Sequence, residues 1–400
     1  MNFFKKAYCR TYQTIFRILM PMFPYREPKL LQDYNEVADS LLEEGGRRVL
    51  IVTDQTLYSL GLTKKVEEKL QKRDMHFAIY DKILPNPTIK QIEDGLKTYL
   101  DNDCNAIVAV GGGSVMDTAK MIGARAVKPN QSVAGMQGLL KINKKLPPLC
   151  AIPTTAGTGS EATVTAVITD DQTHKKYPIN DFCLIPHFAL LDSELTLGLG
   201  KFTTATTGMD ALTHAVEAYI GHSTTKQTRK ASLDAIKLIY NNLVQAYDNG
   251  KNDYARANML EASYLAGVAF TRSYVGYVHA IAHSLGGKYN TPHGYANAVI
   301  LPLMLESYGA SVHKKLAEIA RHVGLVNSQE KDDEASRKFI DWIKALNAHF
   351  EIPETFAELK EQDIEQLAKQ ADKEANPLYP VPMLMDREEL EHIYQKLLAK

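Results

Sequence analysis

The chain has 400 residues, 45% of them apolar and 23% charged, with a formal net charge of −1 at pH 7. That length and balance fit a soluble globular protein of two domains. Without a cationic surplus to neutralise phosphates, nucleic acid is excluded as a main partner. The chain also lacks the run of about 18 apolar residues that a membrane span requires.

Residues 1–25 carry Lys5, Lys6, Arg10 and Arg17 and no acid, interleaved with Phe3, Phe4, Tyr8, Tyr12 and Phe16. The cations break up the apolar region a signal peptide would need. The segment is therefore expected to be a helix packed on the body of the protein or on a partner subunit, in preference to a presequence or a helix lying on a membrane. Pro21, Pro24 and Pro28 end it, and it stands apart from the chemistry. Cys9, Cys104, Cys150 and Cys183 are widely spaced, with no Cys-x2-Cys pair, which predicts reduced thiols and a cytoplasmic setting.

From residue 33 the pattern alternates. A helix is predicted over 33–44, a strand over Val49–Thr53, a helix over 56–72 and a strand over 76–80. A helix from Thr88 to about Asp101 and a strand over Ala106–Val110 follow. Strand-helix alternation is the signature of a parallel α/β sheet. The third strand runs into Gly111, Gly112, Gly113 and Ser114, and then into a helix. Glycines let a phosphate approach the backbone, and the first free N–H groups of the helix face it. Asp117 is placed in the first turn of that helix, where it complements the dipole or bonds the cofactor or glycine loop. Asp54, directly after the first strand, either caps the next helix or accepts the two hydroxyls of a ribose, which selects NAD(H) over NADP(H). A fourth strand, Leu149–Pro153, feeds the hydroxyl- and glycine-rich loop Thr154–Glu161. Strands over 164–169 and Phe188–Asp192 complete this half; between them Lys176 is a cation for a pyrophosphate, whereas Lys175 reads rather as part of a solvated turn.

After Leu199 the pattern is helical throughout, with nine helices expected between 204 and 398. The expected division is a helical extension over 1–30, a dinucleotide-binding α/β domain over 31–199 and an all-helical metal and substrate domain over 200–400, with the chemistry in a cleft between the last two. In the helical half, Asp210 and His214 stand four apart and share a helix face, as do His279 and His283. His293 follows the glycines and proline of LGGKYNTPHG, which turn the chain back. A carboxylate and three imidazoles make a complete set for one divalent first-row metal. The expected ligands are Asp210, His214, His279 and His293, which leaves His283 for proton transfer or hydrogen bonding.

Four stretches in order, GGGSVMDTAK at 111–120, IPTTAGTGSE at 152–161, GMDALTHAVEAY at 208–219 and HAIAHSLGG…PHGYANA at 279–298, resemble the iron-containing (group III) alcohol dehydrogenase family. The likeness is greatest to its aldehyde- and diol-reducing branch, the lactaldehyde reductase and 1,3-propanediol dehydrogenase type. The resemblance implies a dehydroquinate synthase-like fold: an N-terminal dinucleotide-binding α/β domain with a parallel sheet, followed by an all-helical metal-binding domain. It implies hydride transfer between NAD(H) and a small primary alcohol, diol or aldehyde, in a homodimer. A glycerol dehydrogenase-like or other polyol oxidoreductase is the alternative on the same scaffold. The implied metal is Fe(II), with Zn(II) or Mn(II) also suited, on the four ligands already named. Asp210, His279 and the non-ligating His283 are implied as catalytic. Asp54, Gly112, Gly113, Ser114, Asp117, Thr154, Thr155, Thr158 and Lys176 fall at cofactor-contacting positions. One departure bears on the substrate. The family carries a cysteine and a Gly-Gly before an Asn-Pro, whereas Ala371–Pro377 here reads ADKEANP.

Overall fold

A computed structural model describes residues 1–171 and 176–399, apart from the side chain of Pro21; Lys175 lies outside the described residues. The chain forms two compact units, Pro24–Gly198 and Met1–Phe23 with Leu199–Lys400.

The chain opens with α1 (Phe3–Leu19), which belongs to the second of these units. The α/β unit then runs β1 (Lys29–Leu31), α2 (Tyr34–Glu43), β2 (Arg48–Val52), α3 (Gln55–Ser59), α4 (Lys64–Gln71), β3 (His76–Tyr80) and α5 (Ile89–Asp101). It continues through β4 (Ala106–Gly111), α6 (Gly113–Val127), β5 (Gly138–Leu139), β6 (Leu149–Pro153), β7 (Thr165–Thr169), β8 (Lys176–Asn180) and β9 (Phe188–Leu190). The six-stranded sheet has the order β1-β9-β6-β4-β2-β3, and every pairing in it is parallel. Its central strands are covered on both faces: Leu50, Ile107 and Ala109 enter one apolar cluster and Val49, Ile51, Val108 and Ile152 another. Burial on both faces is why these strands read as continuous apolar runs in the sequence.

Local signals set the ends. Asp33 caps α2 through Asn35 N and Glu36 N, and a Thr88–Gln91 capping box starts α5. The structure departs from the sequence reading in three places. The helix expected over 56–72 is two helices, α3 and α4, separated by a turn in which Gly61 has φ +73°, a conformation glycine adopts freely. The short strand β1 was not anticipated. The strand expected over 164–169 is β7, but its sheet partners β5 and β8 were not anticipated, and Pro178 inside KYPIN reads against a strand.

The second unit contains α7 (Lys201–Ile220), α8 (Lys226–Asp248), α9 (Asp253–Ser273), α10 (Tyr277–Tyr289), α11 (His293–Tyr308), α12 (His313–Val323), α13 (Asp332–His349), α14 (Ile364–Ala375) and α15 (Arg387–Leu397). No helix among the described residues is long and apolar enough to cross a membrane. Helix α7 is the hub, with all but one residue buried from Thr204 to Ile220. Gly208 permits close packing there: a Cβ at this position would lie 2.2 Å from Leu243 Cδ1 on α8.

Candidate metal centre

Three helix segments converge on one point. Helix α7 presents Asp210, His214 and Glu217 along a single face, since offsets of four and seven return to the same side. Helix α10 supplies His279 near its N-terminus and His283 one turn later. Helix α11 begins with His293, and the residue after it explains the approach. A Cβ on Gly294 would lie 2.4 Å from Thr206 O, so only glycine lets the start of α11 touch α7. One ligand atom from each of Asp210, His214, His279 and His293 lies within 4.8 Å of all the others. His293 Nε2 is 3.5 Å and His279 Nε2 3.9 Å from Asp210 Oδ1. Bonds to a tetrahedral ion would put neighbouring ligand atoms roughly 3.4 Å apart. The sequence-predicted ligand set is thus brought together, and His283 stands beside it with its ring 6.0 Å from that of His279.

The donor set fits a cation. Glu217 Oε2 is 2.6 Å from His279 Nδ1, and its carboxylate also accepts the backbone N–H groups of Gly276 at 2.8 Å and Val278 at 2.9 Å. A carboxylate at this distance from a ring nitrogen can only accept, so His279 Nδ1 carries hydrogen and Nε2 presents a lone pair to the cluster. The amide of Asn297 registers the convergence: Nδ2 lies 2.7 Å from Asp210 Oδ1, 3.2 Å from His293 Nε2 and 3.3 Å from His279 Nε2. Burial pushes Asp210 up to about 7 and Glu217 up to about 7, and holds His279 well below its usual value. Among the described residues neither carboxylate has a Lys or Arg partner. Two buried acids on either side of the neutral His279 ring call for positive charge between them. The cluster is open on one side. The side chains of His293 and His283 are 38% and 25% exposed, whereas Asp210 and His279 are 3% and 2% exposed. His214 is buried against Phe270, ring to ring at 4.1 Å.

The candidate cofactor residues lie in the α/β unit. Gly112 is the N-cap of α6 and makes no side-chain cap. A Cβ on Gly113 would meet Thr158 Cγ2 at 2.9 Å, and one on Gly112 would meet Thr155 Oγ1 at 3.3 Å, so the threonine side chains of one loop pack on the bare glycine backbone of the other. Thr154 is buried and donates its N–H to Gly111 O. Ser114 Oγ accepts from Asn86 N at 3.3 Å, and Lys176 Nζ donates to Asn86 Oδ1 at 2.7 Å. Asp54 caps α3, its Oδ1 accepting Leu57 N at 2.9 Å; the helix-capping alternative is what its hydrogen bond shows.

Asp117 differs from expectation. It lies beyond the first turn of α6, and its carboxylate accepts Ser160 Oγ at 2.7 Å and Val167 N at 2.9 Å. It ties the loop 154–161 and β7 to α6, rather than the glycine loop. Lys120, a residue the sequence reading passed over, completes the tie. Its Nζ donates to Ser160 Oγ at 2.8 Å, Thr163 Oγ1 at 2.9 Å and Thr165 O at 2.8 Å. Glu161 is 1% exposed, and its carboxylate oxygens have no hydrogen-bond partner among the described residues.

Burial raises the Glu161 carboxyl from 4.5 to about 7, with Lys120 opposing the shift. The folded-state value lies above the unfolded one, so its contribution to stability is present below pH 4.5 and lost as pH rises through about 7. The loss is on the order of 3 kcal/mol. Glu161→Gln should therefore gain on the wild type in chemical denaturation as the pH is raised from 5 to 8; parallel stability curves would refute this.

The comparisons agree with this architecture. The profile "Iron-containing alcohol dehydrogenase" matches residues 31–193, and "Fe-containing alcohol dehydrogenase family, C-terminal" matches residues 204–398. NAD-dependent methanol dehydrogenase of Bacillus methanolicus is 38% identical over 84% of this chain and 88% of its own. Lactaldehyde reductase of Escherichia coli K12 is 36% identical over 84% of this chain and 88% of its own. The crystal structure of a 1,3-propanediol oxidoreductase superposes with a TM-score of 0.89 at 36% identity, covering 94% of this chain and 99% of that one. Two family profiles that together span most of the chain, with relatives at this identity and coverage, place it: the chain belongs to the iron-containing alcohol dehydrogenase family.

Proposed function

We propose that the protein is an NAD(H)-dependent oxidoreductase of small primary alcohols, diols or aldehydes. It would hold one divalent ion, Fe(II) ahead of Zn(II) or Mn(II), on Asp210, His214, His279 and His293. The convergence of their four ligand atoms within 4.8 Å carries this reading, and the names of the methanol and lactaldehyde relatives support the substrate class. When bound, such an ion polarises a carbonyl and makes an alcohol more acidic. Glu217 would hold His279 in the tautomer that presents Nε2, and Asp210 would supply the anionic ligand. His283, on the exposed side, would bond the substrate hydroxyl and relay its proton. In the α/β unit the N–H groups at Gly112, Gly113 and Ser114 would take the pyrophosphate. Thr154, Thr155, Thr158 and Lys176 would line the same cofactor, and Asp117 would act through the loop it holds. Asp54 keeps its second oxygen for the ribose and disfavours a 2′-phosphate. A homodimer in the cytoplasm is part of this proposal.

The test is nicotinamide absorbance with NADH or NADPH and a panel of C2–C4 aldehydes, after anaerobic reconstitution with Fe(II), Zn(II) or Mn(II). Turnover is expected with NADH in preference to NADPH, lost on chelation and restored by metal. The absence of turnover with every aldehyde and metal would overturn the proposal. In the same assay supplied with NAD+ in place of NADH, glycerol oxidation exceeding every aldehyde rate would favour the polyol alternative.

A further inference from the structure

We infer that Glu374 is the positioning residue of His283, and that the N-terminal helix α1 holds Glu374 where it can act. Glu374 sits in the last turn of α14, within the ADKEANP stretch. Its Oε1 lies 2.6 Å from His283 Nδ1 and accepts the hydroxyl of Tyr379 at 2.8 Å. A carboxylate only accepts, so the hydrogen is on His283 Nδ1 and the ring turns Nε2 away from Glu374. The ring is clamped from a second side by His293, stacked at 5.1 Å with an interplanar angle of 17°. Glu374 is 28% exposed and His283 25% exposed, on the open side of the metal cluster, so a ligand can reach the pair.

The clamp is anchored from the far end of the sequence. Gln13, 5% exposed, donates Nε2 to Tyr379 O at 2.7 Å and to Pro377 O at 3.1 Å. Arg10 donates to Val381 O at 2.8 Å and Pro382 O at 2.9 Å. Lys5 Nζ pairs with Asp372 at 2.9 Å, two residues before Glu374. Helix α1 thus grips the segment on both sides of Glu374 and fixes the backbone of Tyr379, whose hydroxyl fixes the carboxylate. A helix that the sequence sets apart from the chemistry is two side chains, Tyr379 and Glu374, removed from His283.

The kinetic half of the test rests on the oxidoreductase proposal above; the spectroscopic half does not. In the metal-loaded protein, Glu374→Ala should lower kcat for aldehyde reduction roughly 10- to 100-fold, the range for partners that orient an active-site histidine. NADH affinity and metal content should stay unchanged. Glu374→Gln keeps an acceptor for Nδ1–H and should return kcat to within about threefold of wild type. The double variant R10A/Q13A should lower kcat in the same direction, less steeply. Independently, long-range 1H–15N spectra of zinc-loaded, 15N-histidine-labelled protein should place the His283 proton on Nδ1 in wild type and in Glu374→Gln, and move it in Glu374→Ala. Wild-type kcat in Glu374→Ala, a loss that tracks lost metal, or a wild-type proton on Nε2 would each overturn the inference. An inactive wild type with the expected spectra would refute the oxidoreductase proposal and leave this one standing.

Discussion

Replacing His279 with alanine is expected to remove both the metal and the activity. This side chain is 2% exposed, and its Nε2 faces the cluster while Nδ1 is held by Glu217 at 2.6 Å. A water in the vacated space could ligate, but it would be held by neither Glu217 nor the ring. Lewis-acid stabilisation of the reacting oxygen is worth several kcal/mol, so kcat/KM should fall about 10³-fold or more. Glu217→Gln separates ligation from orientation. It leaves all four ligands but exchanges a carboxylate for an amide at His279 Nδ1, and weakens a group that two backbone N–H donors also grip. Metal affinity or activity should then fall roughly 10- to 100-fold, short of the His279→Ala loss. Metal content by mass spectrometry beside steady-state rates decides the case. A His279→Ala protein that keeps one ion per chain and wild-type turnover would refute the ligand set.

The four residues of the cluster were legible because the spacing within each pair is local. Asp210 and His214 lie one helical turn apart, and the glycine and proline signals around 286–292 announce a chain reversal before His293. The residues that support them were not legible, although Glu217 and Asn297 stand inside stretches that had been singled out. A glutamate seven positions after an aspartate reads as a solvated helix face. Only the meeting of α7 with the start of α10 makes Glu217 a buried acceptor for three donors. Glu374 is further from view, since its partner His283 is 91 residues away. For the same reason Asp117 was expected to complement the helix dipole or to bond the cofactor or glycine loop: its donors, Ser160 and Val167, come from a loop and strand 43 and 50 residues on. Buried parallel strands were found from their unbroken apolar runs, whereas β8 was hidden by Pro178 and the α3–α4 break by a single glycine.

Lys120→Met should strongly destabilise the α/β unit. A lysine inside a helix ordinarily points to water, but this one is 0% exposed. Its ammonium is held by Ser160 Oγ, Thr163 Oγ1 and the carbonyls of Thr163 and Thr165. Burial lowers it to about 8, with Asp117 and then Glu161 opposing that shift. Methionine fills similar space yet removes the cation, which leaves the buried Glu161 and the partly buried Asp117 uncompensated and several acceptors unmet. Breaking a buried charge pair from one side costs about 3–5 kcal/mol. For a unit of this size that is a fall in Tm of roughly 10 °C. Asp117→Asn in the same background should recover part of the loss, because the charge left behind is then removed. Calorimetry of the single and double variants measures both effects. Additive losses would show that Lys120 supports the loop through its hydrogen bonds alone, and not as the counter-charge of Asp117.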